Sequence, residues 1–141
     1  MTLIRNAGLF AIGLALTLST GAVMADVVAV VSAKSPITTL SNSQVQDIFL
    51  GRASRFPNGV LALPIDQAEG SVVREEFYAK MAGKSAAQMK AYWSKIIFTG
   101  RGQPPQEAAN SVEMKKRLIE NPAAIGYIEK NLVDASLRVV L

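Results

Sequence analysis

The sequence predicts an α/β domain of three layers, with helices covering both faces of a mostly parallel mixed sheet. Three observations predict it. Residues 27–31, Val-Val-Ala-Val-Val, form a near-continuous β-branched run, the mark of a strand buried on both faces. Further short apolar runs follow at 61–65, 124–128 and 137–141. Between them lie segments with helix-start signals and apolar residues at helical spacing, and strands that alternate with helices indicate a covered sheet.

Residues 1–25 stand apart from this pattern. Arg5 gives a weakly positive start, residues 9–18 are apolar over the length of a signal h-region, and Val23-Met24-Ala25 offers small residues for cleavage. The apolar stretch is short for a membrane span of about 20 residues. The expectation is a signal peptide over 1–25, cleaved after Ala25, and one domain over 26–141. A retained anchor is the alternative.

The elements follow in order. Lys34-Ser35-Pro36 breaks the first strand. Ser41 and Gln44 read as a capping box, with Leu40 and Val45 as a hydrophobic staple. The helix after them turns Val45, Ile48 and Phe49 to one face and stops at Gly51. Residues 52–59 form a loop with its turn at Pro57-Asn58-Gly59, and 61–65 is the second strand. Ser71 caps a helix carrying Val73, Phe77 and Met81 at steps of four, ended by Gly83. Ser85 caps the next, with Met89, Trp93 and Ile96 or Ile97 inward. Residues 100–105 are a turn-rich loop. Asn110 with Glu113 reads as another capping box, Met114 and Leu118 give that helix its stripe, and Asn121-Pro122 closes it. The strands at 124–128, containing Gly126, and at 137–141 complete the domain.

Composition narrows function. The chain has no cysteine and no histidine, which removes disulfides, thiolate chemistry, the commonest general base and the commonest metal ligand. Adjacent Glu75 and Glu76 do not face one another on a helix, so no catalytic pair emerges. Without residues 1–25 the 15 Lys and Arg fall to 14, against 11 Asp and Glu. That bias toward anions is too mild to indicate nucleic acid. No catalytic residue, metal site or cofactor is expected.

Residues 66–77, Asp-Gln-Ala-Glu-Gly-Ser-Val-Val-Arg-Glu-Glu-Phe, carry the strongest functional signal. A strand runs into a polar turn, then Gly70-Ser71, then a helix. That order gathers free backbone N–H groups and the positive end of a helix dipole, which suits an oxyanion. Ser71 reads first as an N-cap, a role compatible with donating to an anion. Arg74 falls near the third helical position, where a cation faces the positive dipole end. Either a bound anion or a local carboxylate among Glu69, Glu75 and Glu76 compensates it. Gln67 offers an amide donor, and Asp66 reads as a turn former. Arg101, between Gly100 and Gly102, is a second cation to watch. Tyr92 and Trp93 read as core, and Lys115-Lys116-Arg117 as a solvated helix face.

Three stretches resemble the phosphate-binding proteins of bacterial ABC transporters, of the periplasmic binding protein class. Ser35-Pro36-Ile37 followed by Ile48-Phe49-Leu50-Gly51 resembles the opening of that family's second lobe. Residues 69–77 resemble its Gly-Ser-Gly-Thr-Arg phosphate loop. Asn121-Pro122-Ala123-Ala124-Ile125-Gly126-Tyr127-Ile128 resembles a late strand of the family. The resemblance implies a fold like one lobe of a type II periplasmic binding protein. It also implies a non-enzymatic, periplasmic role in binding phosphate or a similar oxyanion. Ser71 and the N–H groups of Val72 and Val73 would hold the anion, beside Gly70, with Arg74, Gln67 and Arg101 as further contributors. The loop departs from the family where Val72 and Val73 replace Gly and Thr, and where Gln67 replaces an Arg. With residues for one lobe only, the site would be closed by a second copy or by a membrane transporter or sensor. The alternative function is an envelope interaction or signalling module that keeps the fold without the ligand.

Overall fold

The computed structural model describes residues 26–141, so the signal-peptide expectation lies outside the described residues. The elements are β1 (Val27–Ser32), α1 (Asn42–Phe49), β2 (Leu63–Gln67), α2 (Val72–Ala82) and α3 (Ala86–Phe98). They continue as β3 (Gln106–Ala108), α4 (Ser111–Glu120), β4 (Ala124–Glu129), a 3-10 turn at Lys130–Leu132, and β5 (Leu137–Val139).

The five strands form one mixed sheet in the order β3-β2-β4-β1-β5. β2 runs parallel to both β3 and β4, and β1 runs antiparallel to both β4 and β5. The antiparallel share is therefore larger than strand–helix alternation implied. All six residues of β1 are buried, as its continuous apolar run requires.

Alternation along the strands sorts the core into two. Val27, Ala29 and Val31 of β1 join Ile125 and Tyr127 of β4 on one face, under α1, α2 and α3. Val28 and Val30 join Ala124 and Ile128 on the other, under Met114 and Leu118 of α4. This is the three-layer arrangement that the sequence predicts. Gly126 sits in β4 where a Cβ would run into the Met114 sulfur and come within 3.3 Å of Leu118. Its lack of a side chain is what lets α4 lie against the sheet.

The helix ends are built largely as expected. Ser41 and Gln44 form the full capping box, and Gly51 follows α1 at φ 73°. Ser85 and Gln88 form a second full box on α3. Asn110 caps α4 by accepting from the Glu113 N–H at 2.9 Å, but the Glu113 carboxylate accepts from Ala109 N–H, not from Asn110. The α4 box is thus displaced by one residue. Of the two isoleucines on α3, Ile96 packs on the core and Ile97 is exposed. β3 is the strand that periodicity did not reveal. Its three residues include two exposed polar ones, and only Ala108 points inward.

Candidate anion site

β2 delivers Asp66 and Gln67 into the interior, which corrects the reading of Asp66 as a turn former. The strand runs two residues further than the apolar run at 61–65, and both polar side chains are 2% exposed. Burial at that level demands partners. Asp66 accepts from Tyr78 Oη at 2.6 Å, from Tyr127 Oη, and from the Gln67 N–H at 3.0 Å. Arg74 Nε lies 3.9 Å from the same carboxylate. Tyr127 Oη also accepts from Gln67 N–H at 3.0 Å, and its ring stacks on Phe77 at 3.9 Å between centroids.

Burial pushes the Asp66 carboxyl up from the ordinary carboxylate range. Arg74 and the two tyrosine hydroxyls pull it back only part of the way. Burial and the neighbouring Asp66 raise both Tyr78 and Tyr127, so they serve as fixed donors. Burial alone would lower Arg74, but Asp66 and Glu107 more than reverse that.

Beyond Gln67 the chain turns at Gly70, whose φ of 89° is open to glycine at little cost. Ser71 then caps α2. Its hydroxyl oxygen accepts from Arg74 N–H at 3.3 Å and donates to Gln67 Oε1 at 3.2 Å. Glu75 N–H bonds to Ser71 carbonyl at 3.1 Å. Among the described residues no acceptor meets the N–H groups of Val72 and Val73, the first two of α2. These are the orphan donors of a helix start, at the positive end of an eleven-residue helix.

The other expected contributors are placed differently. Gln67 gives both amide hydrogens to the interior, to Ser111 Oγ at 2.9 Å and to Tyr127 carbonyl at 3.2 Å. It turns its carbonyl oxygen to Ser71 and takes that hydroxyl's hydrogen, so it is no additional donor, and an anion must displace it to accept from the serine. Arg74 folds back from the first turn of α2 toward the end of β2. It donates to Gln67 carbonyl and to Glu107 Oε1, each at 3.0 Å. The compensating carboxylates are Asp66 and Glu107, and not the expected Glu69, Glu75 or Glu76. Arg101 is exposed on the turn after α3, where nothing ties it to Ser71.

Sequence reasoning missed Asp66 as a hub, along with Glu107, Ser111 and Tyr127. Ser111 passes the network on to Glu129 through a 2.6 Å bond. These residues meet only through sheet order, since β3, α4 and β4 all converge on the end of β2. A cavity of about 190 Å³ opens beside the loop, between α2 and α3. Gly70, Arg74, Tyr78, Met89, Trp93 and Ile97 help line it, but Ser71, Val72 and Val73 do not. The cavity and the orphan N–H groups are therefore neighbouring features, not one site.

No family model matches the sequence, and no curated protein matches it. Solved structures do. A phosphate ABC transporter substrate-binding protein from Clostridium perfringens with bound phosphate aligns with a TM-score of 0.66 and 20% identity. The alignment covers 82% of this chain and 44% of that one. An ABC-type phosphate transport receptor from Vibrio cholerae aligns with a TM-score of 0.65 and 19% identity, over 82% and 45%. PstS from Borrelia burgdorferi aligns with a TM-score of 0.60 and 14% identity, over 82% and 46%. The chain spans a little under half the length of each. The described residues have the fold of one lobe of the phosphate ABC transporter substrate-binding proteins.

Proposed function

We propose that this chain is an exported, non-enzymatic solute-binding protein for phosphate or a similar oxyanion, associated with ABC transport and working in the periplasm. The observation that carries this reading is the start of α2. Ser71 is held there as a cap beside two N–H groups, of Val72 and Val73, that have no acceptor among the described residues. That start sits on a fold shared with phosphate receptors, one of them solved with phosphate. Gly70 gives the loop its turn, Gln67 sets the Ser71 hydroxyl, and Arg74 lends a positive charge already shared with two carboxylates.

Such a lobe binds weakly alone. Two or three hydrogen bonds to a charged group contribute about 1.5–3 kcal/mol each. Association entropy removes at least about 4 kcal/mol. Only the favourable end of that range leaves a balance of millimolar order, about −4 kcal/mol. A physiological receptor therefore needs a second surface over Ser71. Calorimetric titration with phosphate and with sulfate tests the reading. Weak heat from one of them, lost in Ser71→Ala, supports it. Silence from both at millimolar anion rejects it.

Two observations favour a second reading, an envelope interaction or signalling module without a ligand. Arg74 is already neutralised by Asp66 and Glu107. Val72, at the point where an anion would sit, is 66% exposed. Recovery of a stable envelope partner without added anion, from a protein silent to phosphate, would decide for this reading.

A further inference from the structure

A buried amide decides where the Ser71 hydroxyl points its hydrogen. Gln67 is buried, and both ends of its side-chain amide are engaged. The amide nitrogen donates to Tyr127 carbonyl at 3.2 Å and to Ser111 Oγ at 2.9 Å. A backbone carbonyl only accepts. Turned over, the amide would set its own oxygen against that carbonyl and leave a buried acceptor unpaired. Ser111 imposes the same direction. It gives its hydrogen to Glu129 Oε2 at 2.6 Å and is left to accept from Gln67. Two partners thus fix the amide carbonyl toward Ser71.

An amide carbonyl cannot donate, so across 3.2 Å the Ser71 hydroxyl gives it the one hydrogen it has. Two lone pairs remain on Ser71 Oγ. One accepts from Arg74 N–H at 3.3 Å, and the other meets no donor among the described residues. The start of α2 therefore offers a ligand two opposite kinds of contact. The N–H groups of Val72 and Val73 give hydrogens, and Ser71 Oγ takes one. Sulfate has no hydrogen to give. To accept from Ser71 it must displace the Gln67 carbonyl, which leaves a buried acceptor unpaired. An oxyanion that keeps a hydroxyl meets both demands at once.

We propose that Ser71 acts toward the ligand as an acceptor, and that it selects oxyanions carrying their own proton, such as hydrogenphosphate and hydrogenarsenate, over bare ones such as sulfate. This rests on the oxyanion reading of the same helix start and names the class of anion that fits it. Gln67 is the positioning residue, because it holds the serine's hydrogen from inside the protein.

Calorimetry with phosphate, arsenate, sulfate and selenate at mildly alkaline pH tests this. There all four are dianions, and only the first two keep a proton. Phosphate is expected to bind about tenfold or more tighter than sulfate, and arsenate likewise against selenate, as one hydrogen bond to a charged group supplies. Ser71→Gly spares most of the cap and should abolish the preference. Gln67→Met frees the serine's hydrogen and should narrow the preference by tightening sulfate. Sulfate bound as tightly as phosphate by the wild type overturns the proposal and leaves the oxyanion reading standing. So does a preference that survives in Ser71→Gly or in folded Gln67→Met. Silence from all four anions overturns both.

Discussion

Arg74 lies 3.9 Å from Asp66 across the inner end of the Ser71 loop, and the pair joins the first turn of α2 to the last residues of β2. The cation that the sequence offers to a ligand is thus partly committed to the protein. Glu107 takes its outer nitrogen at 3.0 Å. Any anion at Ser71 competes with two carboxylates for the same charge, so the backbone N–H groups must do most of the holding.

Removing the outer carboxylate should relieve that competition. Glu107 is about half exposed, and an ion pair of that kind contributes about 0–1 kcal/mol to stability. Glu107→Gln is therefore expected to leave the urea midpoint almost unchanged and to tighten phosphate binding severalfold. Calorimetry beside denaturation separates the two effects.

Ser71 has a capping role and a proposed ligand role, and two substitutions separate them. An N-cap Ser→Ala change costs about 1 kcal/mol, whereas glycine costs only a few tenths. Ser71→Ala should lower unfolding free energy by about that amount and Ser71→Gly by much less. Both remove the hydroxyl, so both should weaken anion binding alike. Equal destabilisation by the two would show that the cap is not what Ser71 supplies to stability.

Asp66 gives the fold a pH dependence with a definite sign. Burial raises its folded pKa above 3.8, so the folded state holds the proton where the unfolded state has lost it. The stability due to protonated Asp66 is present below that value and falls as pH rises through the folded pKa. Asp134 acts oppositely, since Lys115 and Ser136 hold its pKa down. Asp134 contributes equally to wild type and Asp66→Asn, so the difference between their stability curves isolates Asp66. That difference should decline from about pH 4 upward and then level off. A difference that grows with pH would contradict the assigned direction.

Close packing of α4 on the sheet rests on Gly126. Gly126→Ala would press a methyl group into Met114 and Leu118. Overpacking of this kind costs about 1–3 kcal/mol. Tyr127→Phe, one residue on, should cost a similar amount by leaving the Gln67 N–H and Asp66 short of a partner. Chemical denaturation measures both.

Particular residues show how far the sequence could be read. β1, β4 and the four helices were legible because burial on both faces and capping signals are local properties. Ser41, Ser71 and Ser85 announce helix starts from two or three neighbouring residues. β3 was not legible, because Gln106 and Glu107 are an edge strand held by pairing to β2, with no apolar period of its own. The Ser71 loop was legible as a helix start behind a glycine. The pairing of Arg74 was not, because Glu107 lies 33 residues away and reaches it only through the β2–β3 register. Asp66 was misplaced because an aspartate after an apolar run resembles a turn. Only the tyrosines brought over it by α2 and β4 make a buried strand position tolerable.

The most direct measurement is an amide-resolved NMR titration with phosphate. The Val72 and Val73 N–H resonances are expected to move most, saturate together at millimolar anion, and fail to move in Ser71→Ala. Shifts that spare Val72 and Val73, or none at all, would contradict that expectation.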